Sequence, residues 1–561
     1  MENAKAIKNL LDSYIQNRNK PAIFIKQDKL GDVSLTDMFE SGEGDVCYRL
    51  VYEYDGSQML EAYEPFLGWI KDLYYKFFAD ECTVEEFVNR GGVYSLLQDT
   101  VCSYIRDGKC RRVLDVMPEE YEYEAERMLQ SLCSLFEYIA SKKMLVIVVG
   151  KIHKAPCGVM QFVNSMLVRM RNIIFIFSYE EAYLVKEYCR PQWDTLMKTI
   201  EEKNMVLEIS DVTSSRKMDY PQEFLFVDEE IEVYLEKLFN MVHMLAFRDA
   251  HYYVKIIHAY LSRENANISD KDMFMVLMAL ANTELGLGNY KNVLFACERM
   301  VPLVRKLNNL RAEYVYYYIS AKAQLLLAEL EQTFKFCKKC KGIARKLDDE
   351  KLLINVEVVE TVAHYGTLKE LFRCNYAHKV DDDVIKRLEK FNYQNFLAYV
   401  YIFSYDNDLE DLKEIAAGRK EPYYFEKGIE IATKLDNRNL LLMAYMKNVI
   451  MYSEHGYYEY VTKMYEKRLG ILDKDKPVRI AHAYSGLGYN CIVMEEYAKA
   501  DAYLRQGINI LIETRQAEDM AETLYNMLVN YFVAGINDKV IECGELIFKI
   551  LGFIGKQSIQ I

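Results

Sequence analysis

Proline is scarce in this chain, nine in 561 residues, and long apolar runs are missing. With 51% hydrophobic and 27% charged residues, that composition excludes a disordered chain and points to packed helix. A run such as Met144 to Val149 is far too short to span a bilayer. The first residues, Met1-Glu2-Asn3-Ala4-Lys5, open an amphipathic stretch without the apolar core of a signal peptide. Excess positive charge is missing too. A formal charge of -14 argues against broad binding to a phosphate backbone, so no direct nucleic-acid partner and no membrane is expected. The short basic run Lys338-Lys339 with Lys341 reads as a solvated helix face. The thirteen cysteines lack even spacing and read as reduced thiols packed as small hydrophobes. The expectation is a soluble, cytoplasmic protein of two or three domains.

What is present divides into two grammars. Residues 1 to about 235 alternate short apolar runs with helical stretches. Strands are predicted at Ala22 to Ile25, Tyr48 to Tyr54, Leu145 to Val149, Ile173 to Phe177 and Val206 to Ile209. Amphipathic segments lie between them, near 60–78, 121–142, 157–170 and 180–203. Apolar strands separated by helices predict a largely parallel sheet covered on both faces. From residue 236 to 561 the period becomes helical. Arg305-Lys306-Leu307-Asn308-Asn309 recurs 40 residues later as Arg345-Lys346-Leu347-Asp348-Asp349, and Cys297 and Cys337 keep that spacing. A third copy, Thr433-Lys434-Leu435-Asp436-Asn437, follows. Each copy ends a helix with basic residues and then Asn or Asp, which suits the helix dipole and a left-handed cap. Repetition at this period predicts stacked helical hairpins.

Within the units the residues resemble the tetratricopeptide pattern. The best copy spans 481 to about 515, with Tyr484, Leu487 and Gly488 on its first helix and Tyr497, Ala500 and Leu504 on its second. Gly488 and Ala500 are small where two helices would cross closely. Further copies place Gly288 with Tyr290, Gly456 with Tyr458, and Tyr531 with Gly535 at helical turns. The terminal proline of the pattern is not at its usual place, and the period near 40 exceeds the usual one.

The N-terminal half resembles the nucleotide-binding domain of the STAND-class, AAA-like signal-transducing NTPases that precede such repeats. Two segments, together with the order of elements, carry the resemblance over about a third of the chain. Tyr52-Glu53-Tyr54-Asp55-Gly56 leads to Tyr63-Glu64-Pro65-Phe66, where a strand ends in an acidic turn and Pro-Phe opens a helix. Leu145 to Val149, followed by Gly150-Lys151-Ile152-His153, is similar to the Walker B strand and its downstream histidine. Ile173 to Ser178 would be the sensor strand. The chemistry departs from the family. After the first strand the chain reads Lys26-Gln27-Asp28-Lys29-Leu30-Gly31-Asp32-Val33-Ser34, with one glycine and no Gly-Lys-Ser or Gly-Lys-Thr. Val149 and Gly150 stand where the family has paired acids. The resemblance implies a degenerate P-loop-NTPase-like sheet followed by a tetratricopeptide-like α–α superhelix: a mainly α protein with an N-terminal α/β domain.

Other constellations read as structural. Cys337-Lys338-Lys339-Cys340 is a CxxC without a second CxxC or a histidine pair at metal spacing. His153 and Cys157 have no acid at a partner spacing. The runs Asp228-Glu229-Glu230 and Asp381-Asp382-Asp383 precede amphipathic helices and read as caps. No catalytic, cofactor or metal residue is assigned. Forty-five tyrosines stand out, and Tyr316-Tyr317-Tyr318 cannot all face one core. In a solenoid the first helices line the concave face, so Asn282, Tyr318, Lys322, Tyr489 and Tyr525 are candidate groove residues for a peptide or protein. The expected function is non-catalytic regulation or scaffolding through the repeats, with no cofactor. The alternative is an active nucleotide-binding NTPase with a non-standard phosphate site around Lys26 to Ser34. A helical-repeat pheromone receptor is a third option, disfavoured by the strands. Ile550-Leu551-Gly552-Phe553 closes the sequence without a clear polar capping helix, which predicts a lost output domain or a homo-oligomer through that end.

Overall fold

The apolar runs of the first half pair as strands in the computed structural model. It describes residues 2–17, 22–26, 34–43, 47–110, 117, 120–169, 172–180, 184–206, 226, 230–262, 268–365, 382–403, 409–472 and 477–558. The strands are β1 (Ala22–Lys26), β2 (Gly42–Glu43), β3 (Tyr48–Glu53), β4 (Leu145–Gly150) and β5 (Ile173–Tyr179), in the order β1-β5-β4-β3-β2. All neighbours are parallel except β2, which runs antiparallel to β3. Of the stretch expected as a strand at 206–209, Val206 forms one parallel bridge with Phe24 and the rest lies outside the described residues.

Both faces of the sheet are covered. Along β4, Leu145, Ile147 and Val149 join one core while Val146 and Val148 join the other. The second core receives Ile7 and Leu11 of α1 (Glu2–Asn17). The first contains α2 (Phe66–Phe77), α3 (Val84–Arg90), α4 (Gln98–Asp107), α5 (Tyr121–Lys142), α6 (Cys157–Arg169) and α7 (Arg190–Glu202). At its centre Phe66, Phe136 and Phe162 meet edge to face or tilted, with centroids 5.0–5.9 Å apart. The expected segments 121–142 and 157–170 match α5 and α6, whereas 180–203 is helical over α7 after a short 3-10 turn.

The chain divides into two compact units, residues 1–327 with 335–349, and residues 328–334 with 350–561. The first unit continues past the sheet through α8 (Ile231–His243), α9 (Phe247–Leu261), α10 (Asp270–Gly286), α11 (Tyr290–Leu307) and α12 (Leu310–Leu326). Then comes α13 (Leu330–Lys346). The second unit holds α14 (Glu350–Tyr365), α15 (Asp382–Lys390), α16 (Gln394–Phe403), α17 (Leu409–Ala416) and α18 (Tyr423–Lys434). It ends with α19 (Arg438–Glu454), α20 (Tyr458–Ile471), α21 (Pro477–Val493), α22 (Tyr497–Glu513), α23 (Ala517–Val533) and α24 (Asn537–Ser558). Successive helices from α19 to α24 pack on one another as stacked hairpins. The basic helix ends close as the sequence indicates: Asn308, Asp348 and Asp436 are left-handed, with φ of 43°, 50° and 50°. No helix among the described residues is long and apolar enough to cross a membrane.

The helix crossing at 481–515 follows from side-chain size. A Cβ on Gly488 would stand 2.5 Å from Leu504 Cγ, and Leu487, Ala500 and Leu504 are fully buried. Gly486 makes the same accommodation for Tyr465, whose ring would lie 2.7 Å or less from an added Cβ. Tyr484 stacks on Tyr503 at 6.2 Å, and Tyr497 opens α22 half-buried. Gly288, Gly456 and Gly535 sit in the turns between helices with φ of 77°, 79° and 74°, which accounts for glycine there. Tyr290 and Tyr458 open the helices that follow the first two turns.

Candidate functional site

In open α/β sheets the carboxyl ends of parallel strands are where ligands gather. Among the described residues, the chain's own charges meet at the ends of β3 and β4. Glu53, the last residue of β3, accepts from Thr36 Oγ1 at 2.7 Å and from Ser34 Oγ on its Oε2. Its other oxygen lies 2.9 Å from Lys151 Nζ. Lys151 follows β4 in the left-handed region (φ 55°) and donates its N–H to Ser178 Oγ at 3.0 Å. Gly150 leaves room for the carboxylate, since a Cβ there would stand 3.0 Å from Glu53 Cγ. Burial raises the Glu53 pKa, but hydrogen bonds from Ser34, Thr36 and Lys151 outweigh it and hold the group below its ordinary value. Of the segment Lys26 to Ser34, residues 27–33 lie outside the described residues.

The acidic turn and Pro-Phe segment take the expected form. Tyr52 Oη donates to Glu64 Oε1 at 2.9 Å and Tyr54 Oη to Glu64 O at 2.6 Å, which ties the end of β3 to the start of α2. His153 is fully buried, and its Nδ1 accepts the Glu180 N–H at 3.2 Å. Burial pushes the Cys157 thiol well above its ordinary pKa.

A second polar centre escaped the sequence reading. Asp249 of α9 is buried against the start of α6, where Oδ1 accepts from Cys157 N at 2.9 Å and Oδ2 from Gly158 N at 3.0 Å. Tyr188 Oη donates to Oδ1 at 3.1 Å. A Cβ on Gly158 would lie 2.7 Å from Oδ2, so glycine is what admits the carboxylate. The negative group meets the positive end of a helix dipole, while burial still raises its pKa. Asp249 and Tyr63 line a cavity of about 550 Å³ with Glu122, Glu126, Gln161 and Arg248.

The five groove residues fall into two groups. Asn282, Tyr318 and Lys322 belong to the first unit. Asn282 is half-buried and donates to Met278 O at 2.9 Å. Tyr318 and Lys322 are buried, with the ammonium 4.5 Å from the ring centroid. Tyr489 and Tyr525 belong to the second unit and are 53% and 59% exposed. That unit also carries two buried amides in equivalent places. Asn490 of α21 donates to Tyr458 O at 2.9 Å and Asn530 of α23 to Tyr497 O at 3.1 Å, each reaching the first residue of an earlier helix. Their spacing of 40 was the available signal.

Cys337 and Cys340 are both buried on α13, and burial raises the Cys340 thiol. No group of three His, Cys, Asp or Glu side chains able to hold a metal occurs among the described residues. Asp382 and Asp383 stand in the first turn of α15, as the capping reading expects, and Glu230 precedes α8. Asp228, Glu229 and Asp381 lie outside the described residues.

No known family model matches the chain, and no curated protein does. Among solved structures the chain is similar to the apo form of RapI, at 15% identity over 59% of this chain and 87% of that one, with a TM-score of 0.41. It is also similar to a signal transduction ATPase with numerous domains that carries a tetratricopeptide repeat sensor, from Pyrococcus horikoshii. There the identity is 13% over 98% of this chain and 96% of that one, with a TM-score of 0.40.

Proposed function

We propose that this chain is a non-catalytic regulatory or scaffold protein of the cytoplasm that binds a protein or peptide through its helical repeats. The observation that carries the reading is the edge of the sheet. Lys151, which follows the strand that resembles Walker B, is engaged by Glu53, and Ser34 and Thr36 donate to the same carboxylate. An incoming triphosphate would meet a carboxylate there and would have to displace it. The repeats, by contrast, offer accessible aromatic side chains, Tyr489 and Tyr525 among them. Ile541, Phe548 and Leu551 on α24 are also exposed and support a contact with a second copy at that end.

Calorimetric titration with ATP and GTP in the presence of magnesium tests the reading, and no saturable heat is expected. Micromolar binding that is lost with Lys29→Ala or Lys151→Ala would instead establish the nucleotide-binding alternative.

A further inference from the structure

Between α11, α12 and α13 the first unit has a groove of about 450 Å³. Its wall is aromatic. Tyr316, Tyr317 and Phe336 are half-buried, with ring centroids 4.8 Å apart for the two tyrosines and 5.9 Å for Tyr317 and Phe336. Its rim is cationic: Arg305 near the end of α11 and Lys335 and Lys339 on α13 are exposed, against one lining carboxylate, Glu313. Lys339 Nζ lies 4.5 Å from the Tyr317 centroid and donates to its Oη at 3.1 Å. The neighbouring cations are engaged, Lys306 with Asp270 and Arg311 with Asp349. Arg305 and Lys335 have no ion pair among the described residues.

A local excess of cations in a chain of net charge -14 is not required by the packing of these helices. We propose that the groove receives an acidic peptide segment with an apolar or aromatic anchor side chain. The anchor lies against Tyr316, Tyr317 and Phe336, and its flanking carboxylates face Arg305, Lys335 and Lys339. This rests on reading the chain as a peptide-binding repeat protein and adds the place and the partner's chemistry. A compact phosphate is served less well. The main-chain N–H groups at the start of α12 are taken by Asn309 Oδ1, which accepts from Arg311 N at 2.8 Å and Ala312 N at 3.3 Å. The end of α11 beside them presents carbonyls, the negative pole of its dipole. Dispersed carboxylates along an extended segment need neither of those groups.

The test is to pan a display library of random peptides on the full chain, then measure a synthetic enriched peptide by fluorescence polarisation. The expected result is enrichment of Asp and Glu around Leu, Phe or Trp. Affinity should fall about tenfold or more in Arg305→Glu/Lys335→Glu and again at high salt. Both residues are exposed, so circular dichroism of the double variant should match the parent, and Phe336→Ala supplies an independent loss of the anchor wall. Enriched peptides without acids, or acidic ones indifferent to these variants, overturn the groove while peptide binding by the chain stands. Saturable pyrophosphate binding lost in the double variant overturns the peptide in favour of a phosphate ligand. A chain that enriches no peptide overturns both the groove and the function it rests on.

Discussion

The sheet edge of the first unit and the helix crossings of the second secure their interiors in different ways. In the first unit carboxylates are held by converging donors: Glu53 by Lys151 and two hydroxyls at the sheet edge, and Asp249 by main-chain N–H groups at the start of α6. At the crossings, glycine admits a neighbouring side chain and neutral amides tie one hairpin to another. Titration therefore reaches the first arrangement, and a change of side-chain volume reaches the second.

Four measurements would break or sharpen that contrast. The largest effect is expected from Asp249→Ala, which leaves two buried N–H groups and the Tyr188 hydroxyl without their acceptor, a cost of about 3 kcal/mol. Both tryptophans, Trp69 and Trp193, are buried in the first unit, so urea unfolding followed by tryptophan fluorescence reads it. A loss below about 1 kcal/mol would mean that water replaces the carboxylate. Next, Gly488→Val should cost about 2 kcal/mol by overpacking Leu504, seen as faster hydrogen exchange over residues 481–507. Unchanged exchange there would remove size as the principle of the second unit. Asn490→Ala and Asn530→Ala should each cost about 1 kcal/mol, and near-equal losses would show the two positions to be equivalent.

The smallest effect at neutral pH, and the most informative sign, belongs to titration. Glu53 has a lowered folded pKa, so its contribution is present above the usual carboxylate range and is lost as pH falls through the folded value. Asp249 has a raised folded pKa, so stability is fully present below its unfolded value and declines as pH rises through the folded one. Glu53→Gln should flatten the acid limb of a stability–pH curve, and Asp249→Asn the decline on the other side. The same slope change in both variants would contradict the assignments.

Strands β1, β4 and β5 were legible because buried parallel strands are continuous apolar runs, and β3 through its Tyr, Leu and Val although only Leu50 is buried. The left-handed closures at Asn308, Asp348 and Asp436 were legible because they depend on local residues. β2 was not, since two residues carry no period. The Asp249 cap joins residues 91 and 92 apart, and nothing near Phe247-Arg248-Asp249 marks the helix it serves. The Glu53–Lys151 pair likewise depends on which strands become neighbours, knowledge that resides in topology. The groove residues show a further reason. Placing Tyr318 on a first helix was a statement about phase, and a first helix buries most of its circumference, which is where Tyr318 and Lys322 lie. Tyr489 and Tyr525 fall on the remaining exposed strip.

The hairpin-to-hairpin ties also have a mechanical meaning. Asn490 and Asn530, with Tyr531 bonded to Asp501 and Arg505, join the successive hairpins from α19 to α24. Under tension applied to its ends, such a stack yields at one link at a time, because every layer is held chiefly by its neighbours. Each yielding hairpin of 40 residues releases about 140 Å of extended chain. A force–extension trace of this region should therefore be a saw-tooth with evenly spaced drops, the record of a molecular ratchet strap paying out by fixed lengths.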